Sequence, residues 1–211
     1  MNILIVGSTG EVGNQLLQAA QQQKSINHIY TFVRNTNDEE HDKTTSITID
    51  FDDITSLETI DVDAVFCCLG TTIKKAGSKS QFEKVDYEYV VSIGEYAKRC
   101  GAKQFHVVSA NGADATSRIF YSATKGKMED SIKSLNLPST YIYRPALLDS
   151  ERKEKRFGER IAVVLFRIIN PLLIGSLKRY ASIKVEKVAS GMLTRSLKPE
   201  QGFHIIESNH I

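Results

Sequence analysis

A doubly wound α/β fold on a parallel sheet is predicted by three features of this 211-residue chain. An apolar strand runs straight into a glycine loop, a second fully apolar run ends in glycine, and strand and helix patterns alternate along the sequence. The first feature is Asn2-Ile3-Leu4-Ile5-Val6 followed by Gly7-Ser8-Thr9-Gly10-Glu11-Val12-Gly13. A buried strand must turn sharply into a helix there, and Gly7 permits the turn because it takes φ > 0 without steric penalty. Gly10 lets the backbone approach a phosphate, and Gly13 lets the helix pack closely. A helix starting near Glu11 offers unpaired N–H groups and a positive dipole end to a pyrophosphate. The spacing is G-x-x-G-x-x-G, so one position of the dinucleotide fingerprint G-x-G-x-x-G is shifted. A glycine turn without a ligand is the alternative reading.

The later elements follow in order. The first helix is expected from Glu11 to about Gln23, and His28 to Val33, rich in β-branched and aromatic residues, is the second strand. Asn35 to Lys43 lacks an apolar period and reads as a loop. Ser46 to Ile49 is a short strand, with a helical turn expected near Thr55 to Glu58. Ala64-Val65-Phe66-Cys67-Cys68-Leu69 is the pattern of a central parallel strand. Gln81 to Arg99 carries Phe82, Val85, Tyr89, Ile93 and Ala97 near helical spacing. Gln104 to Ser109 is a strand, Tyr121 to Leu135 a helix, and Thr140 to Tyr143 a sixth strand ended by Arg144-Pro145. No repeat, linker or low-complexity tract marks a second domain, so residues 1–211 are expected to form one.

Composition narrows the function. Apolar residues are 41% and charged residues 25%, ordinary for a globular chain, and the net charge of +2 is too small to imply a nucleic-acid partner. Cys67, Cys68 and Cys100 fit free thiols in a reducing compartment. With a core strand at the N-terminus, no targeting segment is expected, and the location expected is cytoplasmic. The apolar stretch Ile161 to Ile174 is interrupted by Arg167, Asn170 and Pro171 and is too short to span a bilayer. No metal site is expected.

Two constellations carry chemistry. About twenty positions past the glycine loop, where NAD-selective sites place a carboxylate on the ribose, stand Val33, Arg34 and Asn35. An arginine there suits a 2′-phosphate, so NADP(H) is the preferred cofactor and NAD(H) the alternative; a solvent-facing arginine at a strand end is the plainer reading. The second is Tyr121-Ser122-Ala123-Thr124-Lys125, which places a phenol and an ammonium one helical turn apart on one face. Ser109 ends the preceding strand, at the sheet edge that faces a ligand crevice. A nearby ammonium and a positive nicotinamide ring would favour the phenolate, letting Tyr121 exchange a proton while Ser109 holds a substrate oxygen. Lys125 would also bind the nicotinamide ribose. Taken alone, Y-x-x-x-K is also an ordinary helix surface pair.

The runs GSTGEVG, CCLGTT, HVVSANGAD, YSATKGKME and YIYRPALL together resemble the short-chain dehydrogenase/reductase superfamily in its atypical, extended branch. Within it the chain is most similar to the Tat-interacting-protein oxidoreductases, over Met1 to about Gly191. The resemblance implies an NAD(P)-binding Rossmann fold with a small C-terminal substrate-side extension. It implies that Gly7, Thr9, Gly10, Glu11, Val12 and Gly13 hold the pyrophosphate and that Arg34 meets the 2′-phosphate. Asp50 and Phe51 would contact adenine, and Cys68, Leu69 and Gly70 the ribose. Thr71, Thr72 and Asn111 would border the substrate, Pro145 and Leu147 would meet the carboxamide, and Ser109, Tyr121 and Lys125 would form the catalytic set. The chain departs from the superfamily at Asp86, where many members keep an asparagine, and this puts an asparagine-held proton relay in doubt.

The C-terminal third is expected to act as a lid over about residues 147–187. Arg152, Lys153, Lys155, Arg156 and Arg160, then the apolar helix Ile161 to Ile169, read in preference as a solvated loop and a core-covering helix; the alternative is a basic pocket rim for an anionic substrate, or a surface that touches an acidic partner or membrane. Cys67 and Cys68 read as small core residues, and His106 as packed rather than catalytic. Two functions remain: an NADP(H)-dependent oxidoreductase acting on a carbonyl/hydroxyl pair, or a cofactor-binding sensor with little turnover. The partner expected is an unidentified small-molecule substrate, and the chain is expected to be a monomer or homodimer.

Overall fold

The computed structural model describes residues 1–35, 41–149 and 181–211. The basic segment and the apolar helix expected between Arg152 and Ile169 lie outside the described residues, as does most of the expected lid. Among the described residues, seven strands form one sheet in the order β3-β2-β1-β4-β5-β6-β9, and every pairing is parallel. The strands are β1 Asn2–Val6, β2 His28–Val33, β3 Thr44–Thr48, β4 Ala64–Cys67, β5 Gln104–Val108, β6 Ser139–Arg144 and β9 Gly202–Glu207. A separate two-stranded ribbon pairs β7 Leu148–Asp149 with β8 Ile183–Lys184.

Successive side chains on a strand face opposite ways, and the apolar sets divide accordingly. Leu4, Val6, Val65, Cys67, Phe105, Val107 and Ile142 face one layer, which holds α4 (Tyr89–Arg99) and α5 (Phe120–Ser134). Ile3, Ile5, Phe66, Tyr141 and Tyr143 face the other, which holds α1 (Glu11–Gln22) and α6 (Val185–Ser196). This two-sided burial is why these strands read as near-continuous apolar runs.

The expected helix over residues 81–99 is a composite. Short helices α2 (Ile73–Ala76) and α3 (Lys79–Glu83) come first, then a π-helical turn at Lys84–Glu88 that leads directly into α4. Neither α6 nor β9 has a counterpart in the sequence reading. β9 is an edge strand with Ile205 half-exposed, so its pattern of burial is too irregular to announce a strand.

His106 sits in the middle of the sheet, fully buried. Its ring stacks between Phe66 (centroids 4.6 Å apart) and Tyr141 (4.7 Å), and Tyr141 stacks in turn on His204 of β9 (4.9 Å). Gln104 donates its amide N–H to the Ser196 carbonyl, which turns its Oε1 toward His106 Nε2 at 3.1 Å. Nε2 therefore carries the proton, and Nδ1 accepts from the Tyr143 hydroxyl at 3.0 Å. Burial, reinforced by Arg195, pushes this imidazole down to about 3. The packed, non-catalytic reading of His106 is thus the one its surroundings support.

The sign of the pH effect follows. The unfolded chain takes up a proton on this ring near pH 6.5, whereas the folded chain resists it until about pH 3. Stability from this group is complete above pH 6.5 and declines as pH falls from there toward 3. Urea unfolding is expected to show a loss of roughly 2 kcal/mol between pH 7 and pH 5 from this residue alone. His106→Gln should have a correspondingly shallower pH dependence. Equal slopes in the two proteins would show that His106 is not the source.

Candidate functional site

The strand order reverses direction between β1 and β4, and the loops leaving their carboxyl ends bound a crevice. Gly7 has φ of +84°, and a Cβ on it would lie 2.8 Å from the Cys68 carbonyl. A Cβ on Gly13 would lie 2.1 Å from Gly7 O, so α1 can start where it does only with glycine at both positions. Gly13 thus shapes the loop from behind rather than facing the crevice. Gly10 precedes α1 in an extended conformation and has no side chain with which to cap it. The first helical amides are therefore not taken by a cap, and Gly10, Glu11 and Val12 line the crevice. This donor set suits a diphosphate.

The crevice comprises two cavities, of about 830 and 720 Å³, that share Thr9, Gly10, Cys68, Leu69 and Gly70. Gly7, Arg34 and Phe51 line the smaller, and the Arg34 guanidinium lies 5.6 Å over the Phe51 ring. Asp50 does not reach this cavity. It lies in a shallow groove beside it with Arg34 and Phe51, accepting the Asp52 amide at 2.9 Å. Sequence reasoning missed Asp52, Lys75, Lys84 and Tyr89, which also line the smaller cavity. Lys84 Nζ lies 2.6 Å from Asp52 Oδ1, and Tyr89 donates its hydroxyl to the same oxygen at 2.7 Å. Hydrogen bonds from Lys84 and then Tyr89 hold the Asp52 carboxyl below its ordinary range. With Asp52 offset by Lys84, Arg34 and Lys75 leave the lining of this cavity net positive.

The larger cavity collects the rest of the expected site. Ser109 follows β5, Tyr121 and Lys125 lie on α5, and Thr71, Thr72, Asn111, Pro145 and Leu147 complete the wall. Helix α5 is pressed onto the loop after β5: a Cβ on Gly126 would lie 2.0 Å from Ala115 N. The Asp114 amide donates to Ser122 O at 3.1 Å, fixing the height of Tyr121 over the loop. The Tyr121 ring packs against Phe82, centroids 5.4 Å apart.

The electrostatics differ from the simple Tyr–Lys picture. Lys125 is 3% exposed and its Nζ lies 2.7 Å from Oδ1 of Asp86, which is fully buried. The contact is an ion pair rather than a well-aligned hydrogen bond, since Oδ1 has no partner of good hydrogen-bond geometry among the described residues. Asp86 Oδ2 accepts the Thr71 amide at 2.8 Å. Burial pushes the Tyr121 phenol above its ordinary value; Lys125 pulls it down and Asp86 pushes it up. The expected lowering by Lys125 is therefore outweighed in the free protein. Cys67 is fully buried and its thiol is pushed up to about 12, in keeping with a core role.

Ser109 also has a partner that sequence reasoning did not assign. Its hydroxyl donates to Glu129 Oε1. Glu129 is held by Arg144, whose Nε lies 3.0 Å from Oε1 and whose second terminal nitrogen lies 2.6 Å from Oε2. Arg144 reaches Glu207 on β9 at 3.2 Å as well. A carboxylate so paired can only accept, so the Ser109 proton is committed to it, and only the lone pairs of Ser109 remain for the crevice. The signal was present: Glu129 lies four residues after Lys125 and eight after Tyr121, on the same helical face.

A family profile described as NAD(P)H-binding matches residues 7–164. The chain belongs to this family. A relative from Candida albicans, named Protein FMP52, mitochondrial, is 34% identical over 208 residues, spanning 95% of this chain and 91% of that protein. Protein HTATIP2 of Rattus norvegicus is 31% identical over 210 residues, spanning 95% and 83%. Solved structures at low identity share the fold. MoeE5 in complex with UDP-glucose and NAD has a TM-score of 0.72 at 12% identity, covering 98% of this chain and 75% of that one. A Thermotoga maritima UDP-glucose 4-epimerase with UDP-glucose has 0.71 at 14%, covering 100% and 80%. The resemblance to extended short-chain dehydrogenase/reductases and the Rossmann-type sheet both hold. The expected cytoplasmic location does not. The relatives from Candida albicans, Meyerozyma guilliermondii and Lodderomyces elongisporus are named mitochondrial proteins. Among the described residues no helix is long and apolar enough to cross a membrane.

Glu129→Gln is expected to lower stability by about 2 kcal/mol, because charged hydrogen bonds to Arg144 and Ser109 are exchanged for weaker ones. Urea denaturation at neutral pH checks this, and an unchanged midpoint would show that the network carries no net stability.

Proposed function

We propose that the protein is an NADP(H)-dependent oxidoreductase acting on a carbonyl/hydroxyl pair, with Tyr121 as general acid and base. The observation that carries this reading is the convergence of the glycine cradle, Tyr121 and Lys125 on one cavity. A bound nicotinamide supplies hydride to the carbonyl carbon, or accepts it from the alcohol. In reduction Tyr121 gives its phenolic proton to the substrate oxygen; in oxidation it takes that proton back. The Lys125 ammonium stabilises the phenolate left behind and donates to the nicotinamide ribose hydroxyls. Ser109 offers lone pairs to a hydroxyl in the crevice, so Tyr121 rather than Ser109 polarises the carbonyl. Arg34, with Lys75 nearby, takes the 2′-phosphate and sets the preference for NADP(H).

NADPH oxidation against a panel of carbonyl compounds tests the reading. Tyr121→Phe is expected to cut turnover by about 10²- to 10⁴-fold while leaving NADPH binding nearly intact. Cofactor binding with no tyrosine-dependent turnover on any compound would favour the sensor reading instead. Arg34→Ala should weaken NADPH about 10- to 100-fold and leave NADH nearly unchanged. An unaltered affinity ratio, read by nucleotide fluorescence, removes the 2′-phosphate assignment.

A further inference from the structure

We propose that Asp86 is a positioning residue that ties Lys125 to the loop after β4 through one buried carboxylate and offsets the ammonium charge presented to Tyr121. Three observations place it. Asp86 lies on the π-helical turn Lys84–Glu88, a widened turn of the kind that re-aims a side chain within a helix. One carboxylate oxygen meets Lys125 Nζ at 2.7 Å and the other meets the Thr71 amide at 2.8 Å, so a single group joins α5 to the segment holding Leu69 and Gly70. Asp86 is fully buried, and a carboxylate there is costly unless it is paired.

The charge matters as well as the shape. An asparagine at this position would keep the bond from Thr71 but would not neutralise Lys125. The ion pair with Asp86 holds the Lys125 ammonium in place at the cavity wall. Among the described residues, the charged groups facing Tyr121 are Lys125 on its own helix and Asp86 on the π-helical turn, with Glu11 and Lys75 elsewhere on the cavity wall. Phe82, which packs on the ring, adds no charge. Lys125 and Asp86 act on the phenol in opposite directions. Burial is the largest influence and raises the phenol, so the free protein holds Tyr121 as a proton donor. In the oxidoreductase reading, on which this catalytic meaning rests, Tyr121 stands ready for carbonyl reduction.

The electrostatic part is testable without a substrate. The full chain is labelled with [13Cζ]tyrosine, the Tyr121 resonance is assigned through Tyr121→Phe, and its titration is followed by NMR. Asp86→Asn is expected to move the Tyr121 titration down by about one pH unit. Lys125→Met is expected to move it up. An unmoved or raised titration in a folded Asp86→Asn protein overturns the proposal, since a purely structural aspartate would not move it. Should Asp86→Asn not fold, the uncharged double variant Asp86→Asn/Lys125→Gln takes its place. It should titrate within about half a unit of wild type, because the two effects cancel, and a displacement beyond about one unit overturns the proposal. If Tyr121→Phe abolishes turnover while these titrations fail, only the role of Asp86 falls. If the titrations succeed without turnover, only the oxidoreductase reading falls.

Discussion

The rest of the structure depends on how closely the loop after β1 approaches the backbone after β4. The space where a side chain at position 7 would sit is already held by the Cys68 carbonyl, and the space at position 13 by the Gly7 carbonyl. Two glycines therefore decide where α1 begins, and with it where its amides open. The shared wall of both cavities is this same contact seen from the ligand side. A methyl group at either position would push apart the two surfaces between which a dinucleotide would lie.

Behind this cradle, charge is arranged in pairs. Lys125 is backed by Asp86, Ser109 by Glu129, and Glu129 by Arg144. Lys125 and Ser109, which reach the crevice, are thus each tied to a carboxylate. Such pairing holds a group in one orientation more than it adds to stability, because desolvation takes back much of the attraction. Even the adenosine side follows the pattern, with Asp52 held by Lys84 and Tyr89.

Much of this was readable from the chain. The six strands from β1 to β6 lie within a few residues of their expected places; for β1, β4, β5 and β6 this is because two-sided burial leaves a continuous buried run, whereas β3, Thr44–Thr48, is a polar strand without one. Ser109, Tyr121, Lys125, Thr71 and Pro145 meet around one cavity because they fall at strand ends and on one helical face. What escaped has physical causes. β9 is an edge strand and lacks the apolar run of a central one. Asp52 comes from a different strand end than Arg34, so spacing from the glycine loop does not find it. The π-helical turn leaves no mark in helical periodicity, although Asp86 stood out by its residue type. Asp50, carried over from the resemblance, sits beside the adenosine cavity rather than in it.

Arg144 joins parts that are distant in sequence but adjacent in the fold: it holds Glu129 on α5 and Glu207 on the neighbouring strand β9, 63 residues along the chain. Edge strands open more readily than the centre of a sheet. Loosening of β9 would leave Arg144 to Glu129 alone, tightening its grip on the carboxylate that receives the Ser109 proton. The margin of the sheet and the Ser109 hydroxyl thus share one chain of hydrogen bonds, through Glu207, Arg144 and Glu129.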